Sequence, residues 1–375
     1  MRVLILSCNT GEGHNSAARA VKESLERASV ECEIDDALAF LSPKASNFIC
    51  KWHVRLYKKA PALFGIGYKA AEKTMPDKLD RSMLYEIMAK GAKKLAARIH
   101  EYGCESVVCT HPFAAMMLTK AKMKYKVRVL SSFVATDYTC SPGVSESRMD
   151  YYFIPHKSLI GDFSGHNIPR ESIIPTGIPV SRKFYSEKEP LESKNVLNIP
   201  PHKKTILFMC GSMGCGPMKL IAKKLADIIK EDEFLVVICG SNIKLYKSLM
   251  KYHEENRVRI VGFTKNMPDY MNAAELMITK PGGLSTTEAA AKGLPMVLVD
   301  AVSGCETYNM RFWVENGMAK TNKNSNIALT VRELLDSPDE LGKMKYRVNE
   351  SFSEIAADKL CDVLLESEKV SAALK

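Results

Sequence analysis

Residues 279–295 read TKPGGLSTTEAAAKGLP and combine three local signals in one short stretch. An apolar run ends at Thr279, two glycines follow at 282 and 283, and an Ala-rich helical segment comes next. This order is typical of a parallel α/β sheet, in which the turn after a strand leads into a helix. The free N–H groups at the start of that helix, and the close approach that glycine permits, favour an anionic ligand such as a pyrophosphate.

Polar side chains follow this turn and the next expected strand. We expect Glu288 in the first turn of the helix, where its carboxylate can accept hydrogen bonds from both ribose hydroxyls of a nucleotide. The spacing of Ser285 and Glu288 also fits a capping box, in which the carboxylate binds backbone instead. Glu306 and Asn309 fall at the start of the following helix, where they can bind sugar hydroxyls.

The same alternation of apolar runs and helical patterns extends over all 375 residues. Strands are predicted at 2–8, 30–35, 105–109, 127–134 and 151–154, and again at 204–210, 234–239, 258–263, 275–279 and 295–300. Helices are predicted at about 13–28, 79–102 and 112–124 in the first half. The pattern indicates an α/β protein with two parallel sheets, whose ligands bind at the carboxyl ends of the strands.

The stretch between the two series of strands has the composition of a linker, with several prolines, many charges and no periodicity. We therefore predict an N-terminal domain at 1–176 and a linker at 177–203. A C-terminal domain at 204–350 and a final helix at 351–375 complete the predicted organisation.

Two further glycine-rich turns follow the first expected strand of each half. Residues 9–16 read NTGEGHNS, and they place His14 in the first turn of the next helix. The positive end of the helix dipole disfavours an imidazolium there, so His14 is a candidate base, although a capping or space-filling role fits equally. Residues 210–217 read CGSMGCGP and again lead into a helix whose N–H groups can face a pyrophosphate.

Positive charge is concentrated in the first half of the chain. The net charge is +10, and residues 44–98 alone hold 13 basic and 4 acidic side chains. Aromatic residues, among them Trp52 and Phe64, are interleaved with these cations, a composition that suits the headgroup layer of an anionic membrane. A solvated helix face and an RNA-binding surface are the alternatives, and we favour the membrane.

Metal, disulfide and membrane-spanning signals are weak in the sequence. No Asp-x-Asp pair is placed at a strand end and no histidine pair has metal spacing, so we expect no cofactor and no essential metal. The eleven cysteines are odd in number and several lie in apolar runs, which is typical of buried thiols in a reducing cytosol. No run approaches the roughly 18 apolar residues of a membrane span. We expect a cytoplasmic protein, peripheral on the inner face of the cell membrane.

These motifs resemble those of the monogalactosyldiacylglycerol synthase and processive diacylglycerol glucosyltransferase group in glycosyltransferase family 28. A more distant similarity is to the enzyme that adds N-acetylglucosamine to lipid I. The matching stretches are Gly11–His14 with the helix from Ser16, Thr110–Pro112, Thr136–Asp137, Pro175–Val180, Val261–Phe263, and Pro281–Pro295 with Glu306 and Asn309 after it.

The resemblance implies a GT-B fold, with two Rossmann-like domains facing across a cleft. It implies acceptor and membrane binding in the domain at 1–176, UDP-sugar binding in the domain at 204–350, and a C-terminal crossover helix at 351–375 that returns to the first domain. It implies an inverting transferase that moves a hexose from UDP-glucose or UDP-galactose to diacylglycerol, with no nucleic-acid partner. His14 is the implied base with Asp137 in reserve, and the acceptor and membrane contacts involve Gly11, Gly13, Trp52, Phe64 and His111. The diphosphate is assigned to Gly211, Ser212, Met213, Gly214, Gly216, Gly282, Gly283, Leu284, Ser285 and Thr286. Phe263 is assigned to the uracil, Glu288 to the ribose, and Glu306 with Asn309 to the sugar.

Two departures from the plant members alter what the resemblance implies. Those members carry Asp where this chain has Asn9, and since an amide cannot take a proton, His14 becomes the stronger candidate base. They also carry Gln where this chain has Cys305, which removes the basis for assuming galactose as the sugar.

Three other functions remain compatible with the sequence. The first is a different UDP-sugar enzyme on the same fold, such as a peptidoglycan N-acetylglucosaminyltransferase or a UDP-N-acetylglucosamine 2-epimerase. The second is an NAD-dependent oxidoreductase, because Gly11, Gly13 and Ser16, followed by an acid at 35 or 36, approximate a dinucleotide-binding fingerprint. The match is imperfect, since the fingerprint has Gly or Ala where this chain has Ser16. The third is a non-catalytic nucleotide- or membrane-binding module.

Overall fold

The computed structural model describes residues 1–9, 11–42, 46, 65, 67–68, 70, 82–186, 188–300 and 304–373. The chain forms two compact units. Unit 1 consists of Met1–Arg182, Val302–Tyr308 and Glu354–Lys375, and unit 2 consists of Lys183–Ala301 and Asn309–Ser353.

Unit 1 contains a six-stranded sheet in which every pairing is parallel. The strands are β1 (Arg2–Ser7), β2 (Glu31–Asp36), β3 (Ser106–Cys109), β4 (Leu130–Val134), β5 (Tyr151–Ile154) and β6 (Ile173–Pro175). Their order is β2-β1-β3-β4-β5-β6. The last strand, of only three residues, was not predicted because it is too short for a periodic signal.

The helices of unit 1 lie between these strands. They are α1 (Glu12–Arg27), α2 (Met83–Ala89), α3 (Ala92–Tyr102), α4 (Pro112–Tyr125) and α5 (Ile160–Gly165). The single helix predicted at 79–102 is wrong, because the chain breaks between α2 and α3 at Gly91. A Cβ on Gly91 would lie 2.6 Å from the Met117 Cε atom, so this break lets the backbone approach α4 closely.

The sheet of unit 1 is covered on both faces, because alternate residues of a strand point to opposite sides. Leu4 and Leu6 of β1 belong to the core on one face, while Val3 and Ile5 belong to the core on the other. A fully buried aliphatic side chain contributes about 1.5–3 kcal/mol relative to an exposed one, so this double layer stabilises the sheet strongly.

The C-terminal helix α14 (Ala356–Ala373) packs on unit 1, as expected for a crossover helix. Its Leu360 and Leu364 are fully buried in the same core as Val3 and Ile5. The Ser24 hydroxyl of α1 donates to Asp358 Oδ1 at 2.7 Å, and this bond fixes the first turn of α14 against α1.

Unit 2 contains a second six-stranded parallel sheet. Its strands are β7 (Lys204–Met209), β8 (Glu233–Ile238), β9 (Val258–Val261), β10 (Leu276–Thr279), β11 (Met296–Leu298) and β12 (Ala319–Thr321), in the order β12-β11-β10-β7-β8-β9. The short strand β12 was not predicted either. Apolar side chains such as Ile206 and Phe208 are fully buried, which explains the continuous apolar runs in the sequence.

The helices of unit 2 lie before, between and after its strands. They are α6 (Pro190–Val196), α7 (Met218–Ile228), α8 (Ile243–Leu249), α9 (Met267–Asn272), α10 (Gly283–Ala291), α12 (Ile327–Leu335) and α13 (Pro338–Phe352). The helix α11 (Cys305–Glu315) begins in unit 1 and continues into unit 2.

In each sheet, the strand or strands that follow the first one are placed on one side of it and later strands on its other side, which creates a topological switch point. In unit 1 this switch point lies between β1 and β3, and in unit 2 it lies between β7 and β10. In open parallel sheets the connections after the two strands diverge there and leave a crevice at the carboxyl ends. The glycine turns quoted above follow β1, β7 and β10, so the fold brings the predicted site residues to the two switch points.

Candidate active site

The glycine-rich loop 210–217 of unit 2 folds tightly after β7. Its backbone is left-handed at Gly211 (φ 68°), Gly214 (φ 53°) and Gly216 (φ 92°). A Cβ on Gly214 would lie 2.2 Å from the Cys239 carbonyl oxygen, and the Asn242 amide donates to the Gly214 carbonyl at 2.9 Å. The loop is therefore held against the connection that follows β8, with its backbone at the carboxyl edge of the sheet.

The turn after β10 leads into α10, and it differs from the prediction in one respect. Gly282 is the N-terminal capping residue of α10, so Glu288 lies in the second helical turn and the expectation of a first-turn position is wrong. The capping-box alternative is wrong as well, because no side chain caps this helix and Ser285 lies inside it. Within the described residues, the first N–H groups of α10 therefore have no side-chain acceptor, which suits an anion.

Two of the three hydroxyl groups of this helix, those of Ser285 and Thr286, have different roles. The Thr286 hydroxyl, which is fully buried, donates within the helix to the carbonyl oxygens of Gly282 (2.9 Å) and Gly283 (3.1 Å). The Ser285 hydroxyl is partly exposed and makes no hydrogen bond within the part of the chain that the structure describes. Of this pair, Ser285 is the residue that retains a donor for a ligand.

Glu288 is the most perturbed carboxyl group in unit 2. Burial raises its pKa to about 8, and no charged or hydrogen-bonding neighbour offsets that effect. Across the described residues its carboxyl makes neither a hydrogen bond nor an ion pair, while the side chain keeps some contact with solvent. A desolvated carboxyl without a protein partner is costly, and such a group is typical of a site that a ligand completes.

Lys280 lies in the stretch 279–295 but had no predicted role. Its Cε and Nζ atoms lie 3.1 and 4.0 Å from the position a Cβ would take on Gly211, and 3.6 and 3.9 Å from that position on Gly282. The ammonium group therefore lies beside both glycine turns of the switch point. Its place directly before Pro281-Gly282-Gly283 at a strand end was the available signal, since a cation between two anion-binding turns adds to their field.

The other residues predicted to bind the UDP-sugar lie in different environments. Phe263 follows β9 and is 66% exposed. Asn309 is fully buried, and its amide donates to the Pro281 carbonyl oxygen at 3.0 Å, so it fixes the turn that precedes α10. Glu306 is buried in the first turn of α11. Their contacts with uracil and sugar stay predictions.

His14 lies at the switch point of unit 1, in the first turn of α1 as predicted. Its Nδ1 atom is 2.8 Å from the Thr110 carbonyl oxygen and 2.9 Å from the Thr136 hydroxyl oxygen. A carbonyl oxygen can only accept, so the contact assigns a proton to Nδ1. The acceptor lone pair of the neutral ring is therefore on Nε2, which is the arrangement required of a general base.

His111 lies beside His14, in a buried position at the N-terminal cap of α4. Its Nδ1 atom accepts from the Phe113 backbone N–H at 3.1 Å, and the centroids of the two imidazole rings are 4.4 Å apart. Asp137, the reserve base, follows β4 and is half-buried. The structure thus brings His14 and His111 together, and it adds Thr110 and Thr136 as neighbours that the sequence gave no role.

The two acids of the possible dinucleotide fingerprint, Asp35 and Asp36, both have partners within the protein. The Asn9 amide donates to Asp36 Oδ2 at 3.0 Å, and Asp36 Oδ1 accepts from the Leu38 backbone N–H at 3.1 Å. Asp35 pairs with the Arg98 guanidinium at 2.9 Å. Both acids are therefore engaged with protein groups and not presented for a ribose, which removes support from the dinucleotide interpretation.

Two family models match this chain and together cover most of its length. The family model for monogalactosyldiacylglycerol synthase matches residues 14–180, and the model for the glycosyltransferase family 28 C-terminal domain matches residues 205–359. The chain belongs to the monogalactosyldiacylglycerol synthase group of glycosyltransferase family 28. The first model begins at His14, and the second contains the stretch from Gly211 to Asn309 on which the donor site was predicted.

Curated relatives of this glycosyltransferase match it over almost their full length. It is 27% identical to the processive diacylglycerol beta-glucosyltransferase of Staphylococcus saprophyticus, covering 97% of this chain and 92% of that protein. It is 26% identical to the Bacillus subtilis protein of the same name, covering 100% of this chain and 97% of that protein. The predicted family is confirmed.

Solved structures confirm the GT-B fold of this family 28 member. The MurG structure from Acinetobacter baumannii superposes with a TM-score of 0.63 at 15% identity, covering 97% of this chain and 99% of that one. The complex of Staphylococcus aureus MnaA with UDP gives 0.62 at 15% identity, covering 96% and 94%. At this identity the similarity concerns the fold and not the reaction.

Other predictions for this glycosyltransferase fall outside what the structure describes. Trp52 and Phe64, with most of the basic window 44–98, lie outside the described residues. In the described part of the chain, no helix has the length and apolar content needed to cross a bilayer. Within the same residues, no cluster of three or more metal-ligating side chains occurs, and the expectation of a metal-independent enzyme stays a prediction.

Proposed function

We propose that this chain transfers a glucosyl residue from UDP-glucose to the hydroxyl group of diacylglycerol, with inversion at the anomeric carbon. The observation that carries the proposal is the nearly end-to-end match to two diacylglycerol beta-glucosyltransferases, whose names supply the choice of glucose. Both switch points contain groups suited to this reaction, an anion and diol site in unit 2 and a base in unit 1.

The donor is proposed to bind at the switch point of unit 2. The N–H groups at the start of α10, the Ser285 hydroxyl and the Lys280 ammonium would meet the negative charge of the diphosphate. The Glu288 carboxylate would accept hydrogen bonds from the two ribose hydroxyls, which provide the partners that its desolvated position lacks. Phe263 would contact the uracil, and Glu306 the sugar.

The acceptor hydroxyl is proposed to lose its proton at the switch point of unit 1. His14 Nε2 takes the proton as the oxygen attacks the anomeric carbon, while the bond to the diphosphate breaks on the opposite face. The electron pair leaves with UDP, and the charge that develops there is met by groups already oriented toward it. Asp137 is the reserve base.

A divalent metal is proposed to be unnecessary for this transfer. In many nucleotide-sugar enzymes a cation neutralises the leaving diphosphate, and here Lys280 with the starts of α7 and α10 can supply positive potential at the same place. Turnover in excess EDTA should therefore equal turnover in Mg²⁺. A loss of activity that Mg²⁺ restores would contradict this part of the proposal.

The enzyme is proposed to act at the cytoplasmic face of the cell membrane, where an apolar acceptor would be available. Two apolar side chains of α2 support this location, because Met83 is 81% and Ile87 is 40% exposed. Exposed lysines at 90, 93 and 94 follow them in the chain. Apolar groups beside lysines suit an anionic bilayer surface. Flotation with phosphatidylglycerol vesicles but not with phosphatidylcholine vesicles would support the assignment.

The decisive experiment is incubation of the purified chain with each UDP-hexose and with diacylglycerol in phosphatidylglycerol vesicles. We expect a hexosyl-diacylglycerol with a β linkage from UDP-glucose, identified by mass spectrometry and linkage analysis. UDP-N-acetylglucosamine is the matched control, because a 2-epimerase would convert it without any lipid. Epimerised nucleotide sugar and no glycolipid would overturn the proposed function.

A further inference from the structure

The two histidines at the switch point of unit 1 differ in the nitrogen that carries the proton. His14 Nδ1 contacts the Thr110 carbonyl oxygen at 2.8 Å, and since that oxygen can only accept, Nδ1 is the protonated nitrogen. His111 Nδ1 contacts the Phe113 backbone nitrogen at 3.1 Å, and since that N–H can only donate, Nδ1 is the acceptor. In the neutral rings, His14 therefore has its lone pair on Nε2 and His111 has its N–H on Nε2.

The two rings are close enough to act on one group. Their centroids are 4.4 Å apart and their planes are inclined by 64°. Hydrogen bonds to a hydroxyl oxygen span about 2.7–3.2 Å, so this separation is short enough for one oxygen atom to lie within hydrogen-bonding distance of both rings. β1 and β3, which precede these histidines, are adjacent, with Leu6 in register with Cys109, so the sheet itself sets this separation.

We propose that His14 and His111 act as a base and donor pair on the acceptor hydroxyl, a role that rests on the proposed transferase function. The hydroxyl donates its proton to His14 Nε2, while His111 Nε2–H donates to a second lone pair of the same oxygen. The oxygen forms the bond to the anomeric carbon, the bond to the diphosphate breaks, and the proton stays on His14. His111 exchanges no proton in this step.

The position of His111 explains why it serves as donor and not as a second base. Its remaining lone pair already accepts the Phe113 N–H, so a further proton on that nitrogen would remove the cap of α4. His14 has the opposite arrangement, because its Nδ1–H is satisfied by Thr110 and shared with Thr136.

Two substitutions separate the donor role from the capping role. His111→Asn keeps an acceptor near the position of Nδ1, and Asn is a favoured N-cap, but it removes the Nε2–H donor. His111→Gln keeps a donor near the position of Nε2 and weakens the cap. We expect His111→Asn to retain the melting temperature and lose about 10- to 100-fold in kcat. His111→Gln should lose thermal stability and retain the larger share of kcat.

A purely structural role for His111 predicts the reverse order of kcat, and that order would overturn the proposal. The direct measurement is long-range ¹H–¹⁵N correlation on the full chain labelled with [¹⁵N]histidine, with His14→Gln and His111→Gln used for assignment. We expect a protonated Nδ1 in His14 and a protonated Nε2 in His111. The same tautomer in both rings would refute the pair even if glycolipid is formed. Absence of glycolipid from the unchanged chain would instead overturn the transferase function, and the role of the pair with it.

Discussion

The switch points of the two units are built on the same topology but are completed in opposite ways. In unit 1, His14 hydrogen-bonds to both Thr110 and Thr136, and His111 bonds to the backbone beside it. In unit 2, Glu288 has no polar partner within the described residues, and the start of α10 has no side-chain cap. One site is thus satisfied by its own protein groups, and the other retains groups whose partners a ligand must supply.

This difference matches the tasks that we assign to the two sites. Proton transfer requires a base of fixed tautomer and orientation, so its neighbours must be in place before the substrate arrives. Nucleotide binding gains affinity when the ligand supplies hydrogen bonds to groups that the folded chain leaves unpaired. A carboxyl group that is already desolvated in the free protein gives up few hydrogen bonds to water when the ligand binds. The predictions below test whether the first site controls turnover and the second controls affinity.

The largest effect should come from His14→Gln. Loss of the base should lower kcat by about 10²- to 10⁴-fold, while the dissociation constant for UDP stays within about twofold of the original. Glycolipid formation under saturating UDP-glucose measures the first quantity and calorimetry with UDP the second. His166→Gln, at a partly exposed histidine of the same unit, is the control and should leave both unchanged. Near-normal turnover of His14→Gln would move the base elsewhere, with Asp137 next to be tested.

Glu288→Ala should weaken binding of UDP-glucose more than it slows turnover, in contrast to His14→Gln. Two charge-assisted hydrogen bonds to ribose are lost, so the KM for UDP-glucose should rise by about 100-fold with a smaller change in kcat. The exposed Glu255 of the same unit provides the matched variant Glu255→Ala, for which we expect an unchanged KM. An equal KM in all three proteins would exclude Glu288 from the ribose site.

Lys280→Met should weaken binding of the diphosphate and spare the nucleoside. We expect affinity for UDP to fall by about tenfold and affinity for uridine to change by less than twofold, because only UDP carries the charge that the ammonium meets. Calorimetric titration with both ligands measures the contrast, and the exposed Lys345→Met serves as control. Equal losses for UDP and uridine would indicate a collapsed loop instead of a lost charge.

Gly214→Ala and Gly216→Ala test how rigidly the loop after β7 is held. Both glycines are left-handed, but an added Cβ meets the Cys239 carbonyl at 2.2 Å in the first case and nothing within 4 Å in the second. Gly216→Ala should cost about 1–2 kcal/mol from backbone strain alone. Gly214→Ala should lower the melting temperature further. Equal melting temperatures of the two variants would show that the loop yields to the added methyl group.

The smallest effect concerns the proton on Glu288. With its pKa raised to about 8, this carboxyl is largely protonated at pH 7 in the free protein, and hydrogen bonds from a ribose diol favour the ionised form. Binding of UDP should therefore release up to about one proton at pH 7, and affinity should rise with pH until it levels near pH 8. Calorimetry in two buffers of different ionisation enthalpy measures the release. Glu288→Gln should abolish it, and unchanged release in that variant would assign the proton to another group.

Several features of the fold and site could be predicted from local sequence. Strands with strong apolar runs, such as β1 and β7, and the glycine turns after them were predicted to within a few residues, and His14 was placed correctly in its helix. The three-residue strands β6 and β12 were missed because they owe their existence to neighbours in the sheet. Glu288 was placed one turn too early, since Gly282 and not Ser285 caps α10.

The sequence by itself determined the α/β class and the family, and it named the candidate residues for binding charge and moving protons, because glycine turns, helix starts and apolar periodicity are local properties of the chain. Tertiary structure alone decided the tautomers of His14 and His111, the desolvation of Glu288 and the place of Lys280 beside two glycine turns. These depend on contacts between residues far apart in the chain, such as His14 with Thr110, 96 positions away. Tautomer and pKa are set by such contacts and by burial, and no local pattern encodes either one.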